Sequence, residues 1–233
     1  PHHGAGVSFF NDNIGIFSTT RIGLQYAYNI KLSKKGKLAI GVQGAMLNEK
    51  INPKKMTLED NSDPAFPTSE VKGNKIDMGV GLYYYHPIMW LGASSQHLLA
   101  PAVWLDERYE VEVPRMYYLM GGCNIKLRNS LLSLQPSFLV QSDMDRWRED
   151  VQCKVTYERE EKKFYGGVGY SPNTSVIFMV GGMFHGVNLG YNYQMYTSGV
   201  GLIHGSHELV VGYQTDLDLF KKGRNKHQSV RTS

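Results

Sequence analysis

The densest charge chemistry in the sequence lies near its C-terminal end. Residues 215–233 read TDLDLFKKGRNKHQSVRTS, with Lys221, Lys222, Arg224, Lys226 and Arg231 set against Asp216 and Asp218. Such a segment can make an electrostatic contact with an anionic partner or surface. The plainer reading is a solvated basic tail. His204 and His207 are three residues apart. Zinc needs three or four ligands in one place, and no third is evident, so these two read as interfacial histidines. Asp60, Asn61, Ser62 and Asp63 have calcium-ligand side chains. They lack the glycine and the terminal glutamate that an EF-hand loop requires. Gly166, Gly167 and Gly169 fall inside a strand-like segment rather than ahead of a helix, so they do not form a phosphate loop. No nucleophile elbow, zinc-protease helix motif or paired-cysteine motif occurs. The sequence therefore predicts a non-enzyme without metal or cofactor.

Composition narrows the class. The chain has 233 residues, with 25 Lys+Arg against 21 Asp+Glu, a net charge of +4. That balance gives no reason to expect nucleic acid as a partner. With 15 tyrosines, 25 glycines and 20% charged residues, the chain is too aromatic and too weakly charged to be disordered. Two cysteines do not make a disulfide scaffold. The distribution of charge is more telling. Residues 164–207 contain no Asp, Glu, Lys or Arg, and neither do residues 78–105. A soluble surface carries charge every few residues. Yet these runs are rich in Gly, Asn, Gln and Ser and are broken by Pro87, Pro101 and Pro172, so they are not membrane helices.

Period-two alternation resolves the puzzle. Val187, Leu189, Tyr191, Tyr193 and Met195 alternate with Asn188, Gly190, Asn192 and Gln194. Ile22, Leu24, Tyr26, Tyr28 and Ile30 alternate with Arg21, Gly23, Gln25, Ala27 and Asn29. The pattern predicts about twelve strands, near 4–10, 19–32, 37–47, 74–85, 89–97, 116–127, 131–141, 150–158, 163–170, 174–182, 186–195 and 206–214. No helical period appears. Pro136 sits within one strand and removes a ladder donor, which predicts a bulge or local defect.

The second face of each strand is small or amide-bearing. Those residues make a poor solvent surface but suit a crowded or wet lumen, with the apolar face on lipid. The expected fold is all-β: an antiparallel transmembrane barrel over residues 1–214, followed by a basic periplasmic tail at 215–233. Tyrosines gather toward strand ends, as interfacial girdles do. Counted back from the last strand, the turns at 183–185, 159–162, 128–130, 86–88 and 33–36 fall at one end and are short. The connections at 197–205, 171–173, 142–149, 98–115, 48–73 and 11–18 fall at the other, and all but 171–173 are longer. Short periplasmic turns and long outer loops are the usual asymmetry. The 48–73 loop, stiffened by Pro53, Pro64 and Pro67, reads as a surface lid or docking site, or simply as a variable loop. Asp143, Asp145, Arg146 and Arg148 read as a solvated loop tip. Arg21, Lys75, Asp77, Arg115, Lys154 and Glu158 fall on lumen faces or strand ends, where charge is tolerated. Cys123 and Cys153 fall on apolar faces of strands two ladder spacings apart. That is about 9.5 Å, too far for a disulfide.

Several segments together resemble a known family. Residues 3–11 (HGAGVSFFN), 22–30 (IGLQYAYNI), 37–47 (KLAIGVQGAML), 63–67 (DPAFP) and 206–214 (SHELVVGYQ) resemble the PorP/SprF outer-membrane proteins of the type IX secretion system. The likeness rests on the order and spacing of barrel motifs over nearly the whole chain. It implies a fourteen-stranded barrel in the full protein, with two strands upstream of residue 1. It also implies an accessory role in secreting exported type IX substrates or holding them at the cell surface. The implied partners are those substrates, peptidoglycan-associated and ring components in the periplasm, and outer-membrane lipid. A passive porin or hydrophobic-solute channel is the alternative from pattern alone. A soluble lipid-binding barrel is a further alternative, disfavoured by the uncharged second face.

Overall fold

In the computed structural model, residues 2–52, 71–99, 102–106, 109–129, 131–160, 162–198 and 205–215 are described. They form β1 (His3–Ile14), β2 (Phe17–Lys31), β3 (Lys37–Ile51), β4 (Val71–Tyr85), β5 (Met89–Gln96), β6 (Ala102–Asp106), β7 (Tyr109–Glu112) and β8 (Met116–Cys123). There follow β9 (Ile125–Lys126), β10 (Leu132–Ser142), β11 (Trp147–Arg159), β12 (Lys162–Ser171), β13 (Ser175–Phe184), β14 (Val187–Tyr196) and β15 (Ser206–Tyr213). No helix occurs among the described residues. Twelve strands run antiparallel in the order β1-β2-β3-β4-β5-β8-β10-β11-β12-β13-β14-β15, with β9 paired to β10. All twelve segments expected from the alternation lie in this wall. β6 and β7 form a separate hairpin.

The two faces of the wall differ as a membrane barrel requires. Val7, Leu24, Ile76 and Leu209 are between 67% and 74% exposed on one face, with Val42, Leu82, Val168, Val180 and Leu189 beside them. An apolar surface of that extent is not tolerated in water and belongs against lipid. The opposite face carries Gly23, Asp77, Gly79, Gly169 and Gly190, all buried or nearly so. β2, β3 and β4 each have 15 residues. About ten tilted residues suffice to cross the apolar band, so these strands project beyond it.

That projection corrects two of the expected loops. β1 and β2 stay paired through Ile14 and Phe17, with Asn11, Asp12 and Asn13 opposite Thr20, Thr19 and Ser18. Residues 11–18 are therefore a tight hairpin rather than a long loop. Gly15 adopts φ 59°, which glycine takes without cost. Likewise β10 and β11 pair as far as Ser142 and Trp147, leaving four residues between them. Asp143 closes that turn by accepting hydrogen bonds from the backbone N–H of Arg146 at 2.6 Å and of Asp145 at 3.1 Å. Those bonds hold the Asp143 carboxyl below its ordinary pKa. The tip is the solvated turn expected of it.

Pro136 produces an interruption rather than a bulge. On the β8 side, Ser137 pairs with Gly122 and Leu134 pairs with Ile125, which is the same register on both sides of the gap. On its other side Asn124 continues the β5 register, its N–H donating to the Ile88 carbonyl at 2.7 Å. The β11 ladder is unbroken, with Pro136 opposite Cys153. Cys123 and Cys153 are both unpaired, as their separation predicts.

Glycine sets the packing of the inner wall around Tyr165. A Cβ on Gly190 would lie 2.5 Å from the Tyr165 hydroxyl, and a Cβ on Gly181 would collide with the same ring and lie 2.6 Å from the Leu189 carbonyl. The missing side chains let the ring lie on the wall. There it receives the Lys154 ammonium 5.0 Å from its centroid. A cation–π contact of this kind suits a lumen charge. Gly181→Ala is expected to push the ring off the wall and cost about 1–3 kcal/mol, as overpacking does. Loss of the heat-modifiable folded band at lower temperature in gel electrophoresis would report it. An unchanged melting profile would contradict the packing described.

Candidate functional site in the barrel lumen

The inner faces of β1–β5 form a polar trough. Gly4 pairs with Ala27, Ala27 with Gly41, Gly41 with Gly81, and Gly81 with Ser94. The next row runs Gly6, Gln25, Gln43 and Gly79. Small residues make the depth and amides supply the hydrogen bonding. A cavity of about 410 Å³ lies over these rows, with Ser94 and Gln96 in its lining. Gln25 Nε2 donates to Ser8 Oγ at 2.9 Å. Gly23 leaves the space that the ends of Gln43 and Ser8 occupy, since a Cβ there would come 2.7 Å from Gln43 Nε2 and 2.8 Å from Ser8 Oγ.

Toward the loop end the trough becomes charged. Arg21 donates from Nη1 to Gln96 Oε1 at 2.9 Å, reaching from β2 to β5 over the two strands between them. Its guanidinium sits 5.7 Å from the Phe10 ring. Glu49, buried on β3, accepts from Thr19 Oγ1 at 2.8 Å. Asp77, buried on β4, has Oδ2 at 2.8 Å from His97 Nδ1. The two side chains are close enough for electrostatic attraction, but their alignment does not make a hydrogen bond, and Asp77 Oδ1 has no partner either. His97 takes φ 57° at the end of β5, where the chain leaves the wall.

The β6–β7 hairpin follows directly. β6 lies beside β4 and β3. Val113, just past β7, and Ile16 pack on Ile51 and Val71, the buried apolar cluster of the fold. Ala45, Leu47, Glu49, Ile51, Val71 and Asp77 are all buried and all on the inner face. The covering chain thus folds into the mouth of the barrel rather than standing above it.

The far wall has its own polar ladder. Gln194 donates to Ser175 Oγ at 2.7 Å and Asn192 to Glu208 Oε2 at 2.9 Å. Arg148 and Asp150 pair at 3.2 Å, and Ser171 Oγ donates to Asp150 Oδ1. Glu158 meets Lys163 at 2.9 Å. Of the charges expected on lumen faces, Arg21, Lys75, Asp77, Lys154 and Glu158 are on inner-face positions, and Arg115 lies in the coil before β8. Arg21 and Asp77 are brought to one mouth, while Lys154 and Glu158 belong to the opposite wall. His207 sits on the outer face, where Tyr191 Oη lies 2.7 Å from its Nδ1, in keeping with an interfacial histidine. His204, Asp60 to Asp63, Pro53, Pro64, Pro67, Lys221, Lys222, Arg224, Lys226 and Arg231 lie outside the described residues.

Sequence reading missed Glu49, His97 and the hairpin. The alternation in AVWLD and YEVE at 102–106 and 109–112 is the signal that marks that hairpin. Among the described residues, no three His, Cys, Asp or Glu side chains converge as a metal site. The arrangement offers hydrogen bonds and charge to a polar partner.

The alternating wall, lipid-facing apolar band and polar lumen define an outer-membrane-type β-barrel. The chain belongs to the type IX secretion system membrane protein PorP/SprF family, whose model matches residues 1–213. The solved structures include a similar fold in a Pseudomonas aeruginosa FadL homologue, with a TM-score of 0.54 and 13% identity. The match covers 91% of this chain and 72% of that one. No protein of curated function matches. The chain is thus an outer-membrane component of the type IX secretion system.

His97→Ala is expected to leave Asp77 buried beside an empty space and to loosen the hairpin. Buried charges stripped of a partner are strongly destabilising. Tryptic cleavage after Arg108 and Arg115 in detergent is expected to accelerate about tenfold, since local opening limits proteolysis. Restoration of slow cleavage by adding Asp77→Asn would tie the effect to the pair. A cleavage rate unchanged in His97→Ala would contradict it.

Proposed function

We propose that the protein acts as a non-catalytic adaptor within type IX secretion, supporting export or surface retention of partner proteins. The family match over residues 1–213 carries this reading. The lumen supports it, because its chemistry is that of recognition: amides, hydroxyls and dispersed charges on a rigid wall. In this reading the loop end faces outward and its mouth, with the 48–73 loop, engages exported protein. The short turns and the basic 215–233 segment face the periplasm and engage peptidoglycan-associated and ring components of the system.

The topology and the tail are tested separately. Single cysteines introduced at Lys34 and Met144, in a background with Cys123 and Cys153 replaced, are expected to differ in intact cells. The Met144 site should react with an impermeant maleimide and the Lys34 site only after outer-membrane permeabilisation. The reverse pattern would invert the orientation. Neutralising Lys221, Lys222, Arg224, Lys226 and Arg231 to Gln is expected to lower co-sedimentation with periplasmic partners severalfold while the barrel stays folded. Unchanged secretion and complex formation would remove the tail from the account.

A further inference from the structure

The inner faces of β1–β5 carry a groove whose lining has no ion partner to offer. The cavity of about 410 Å³ adjoins a second of about 260 Å³, and the two share Ala27, Gly41, Gly81 and Ser94. Neither is lined by Asp, Glu, Lys, Arg or His. Charges of this wall stand beyond the groove, with Arg21 and Asp77 toward the loops and Lys31 and Lys37 toward the turns. Arg21, at the loop end, is already engaged by Gln96 at 2.9 Å. A charged ligand would lose its hydration here without a counter-charge, so the groove suits an uncharged one.

The floor of the groove is open space. Elsewhere on the inner wall, glycine makes room for a neighbour, as Gly181 and Gly190 do for Tyr165. Gly41 makes room for no side chain. A Cβ there would meet only the backbone oxygens of Tyr26 and Gly81, at 3.7 and 3.9 Å, and one on Gly4 would meet nothing within 4 Å.

The walls of the groove add two kinds of contact. Toward the loop end stand hydrogen-bonding groups that the barrel does not use. Among the described residues the Gln43 amide and the Ser94 hydroxyl make no hydrogen bond to protein. Gln25 uses its Nε2, toward Ser8, and Gln96 its Oε1, toward Arg21, which leaves one amide group of each. Toward the turn end stand two rings. Tyr83 covers Gly92, where a Cβ would come 3.2 Å from the ring, and Trp90 covers Gly122, where a Cβ would come 2.9 Å from the indole. Their centroids are 6.0 Å apart and their planes 30° from parallel, and Tyr83 is 40% exposed in the lumen. The pair makes an aromatic platform on a wall otherwise built of small and amide side chains.

We propose that this groove binds a neutral saccharide. The C–H face of a sugar ring lies on Tyr83 and Trp90, and its hydroxyls pair with Gln25, Gln43, Ser94 and Gln96. Aromatic surface with a few placed polar groups is the usual make-up of a small-molecule site. An acyl chain would leave the amides desolvated and unpaired. An extended peptide needs pockets for alternate side chains, and a floor of Gly and Ala offers none.

The test uses the full chain purified in a detergent without a sugar headgroup. Maltohexaose, cellohexaose and chitohexaose are titrated by calorimetry, beside an uncharged peptide of Gly, Ser and Asn. The wild type is expected to bind at least one of the three sugars, with the same affinity at low and high salt, since no charge lines the groove. Gly41→Leu is expected to fill the floor and abolish binding. Tyr83→Ala is expected to weaken it about tenfold, the scale of one lost aromatic contact. The heat-modifiable band reports that each variant is folded. Should Gly41→Leu fail to fold, Tyr83→Ala and Gln43→Ala carry the same expectation of weakened binding. Absence of binding to all three sugars by the wild type would overturn the proposal, as would binding that both folded variants retain in full. Equal or tighter binding of the peptide would reassign the groove to polypeptide, and an affinity that falls steeply with salt would reassign it to a charged ligand; either result overturns the saccharide.

Discussion

The absence of water in the bilayer core governs this structure. Each backbone N–H and C=O within hydrocarbon must find a partner in the chain itself, since leaving one unpaired costs several kcal/mol. The sequence answers this with twelve antiparallel strands in one wall, ordered from β1 to β15 and hydrogen-bonded to one another along that order, the outer edges of β1 and β15 having no strand partner among the described residues. The pairing then forces a division of labour, because neighbouring residues in a strand face opposite ways. One side takes Val7, Leu24, Val42, Val80 and Leu189 to lipid, and the other takes Gly, Ser and Gln to the lumen. Pro136 marks where the rule is relaxed. Its missing donor coincides with the gap between β8 and β9, while on the β5 side Asn124 keeps its bonds to the carbonyls of Ile88 and Pro87.

Within that frame, small residues decide what the lumen can do. Gly23 allows Ser8 and Gln43 to approach one another, and Gly181 and Gly190 make room for Tyr165. Tyr165 in turn supports Lys154. At the loop end the same wall carries heavier chemistry: Arg21 tied to Gln96, Glu49 to Thr19, and Asp77 beside His97 under a hairpin. The apolar seat of that hairpin, Ile51 and Val71 with Ile16 and Val113, is a small core inside a barrel otherwise packed by polar contacts.

Most of the wall was legible in the sequence because alternation is a local property. The two faces of residues 187–195 can be read without knowing what they pair with, and β14 lies where they predict. Features that depend on distant partners were harder to see. Arg21 and Gln96 meet only because the curved sheet brings β2 and β5 together across the lumen. Asp77 could be placed on the inner face, but its neighbour His97 depends on where β5 ends. The 11–18 hairpin was misjudged because Asn11, Asp12 and Asn13 look like loop residues. In fact they pair with Ser18, Thr19 and Thr20 where the strands stand clear of the membrane. The loop at 98–115 was read by length alone, and the alternation within it went unused.

The central claim is that this barrel serves type IX secretion through bound partners rather than by passing solutes. The most direct measurement is gentle detergent extraction of the full-length protein from outer membranes, followed by mass spectrometry of what copurifies. The account predicts recovery with an exported surface protein or with peptidoglycan-linked periplasmic components, in amounts comparable to the barrel. Recovery of the barrel alone, conducting ions in a planar bilayer, would contradict it and leave a passive channel in its place.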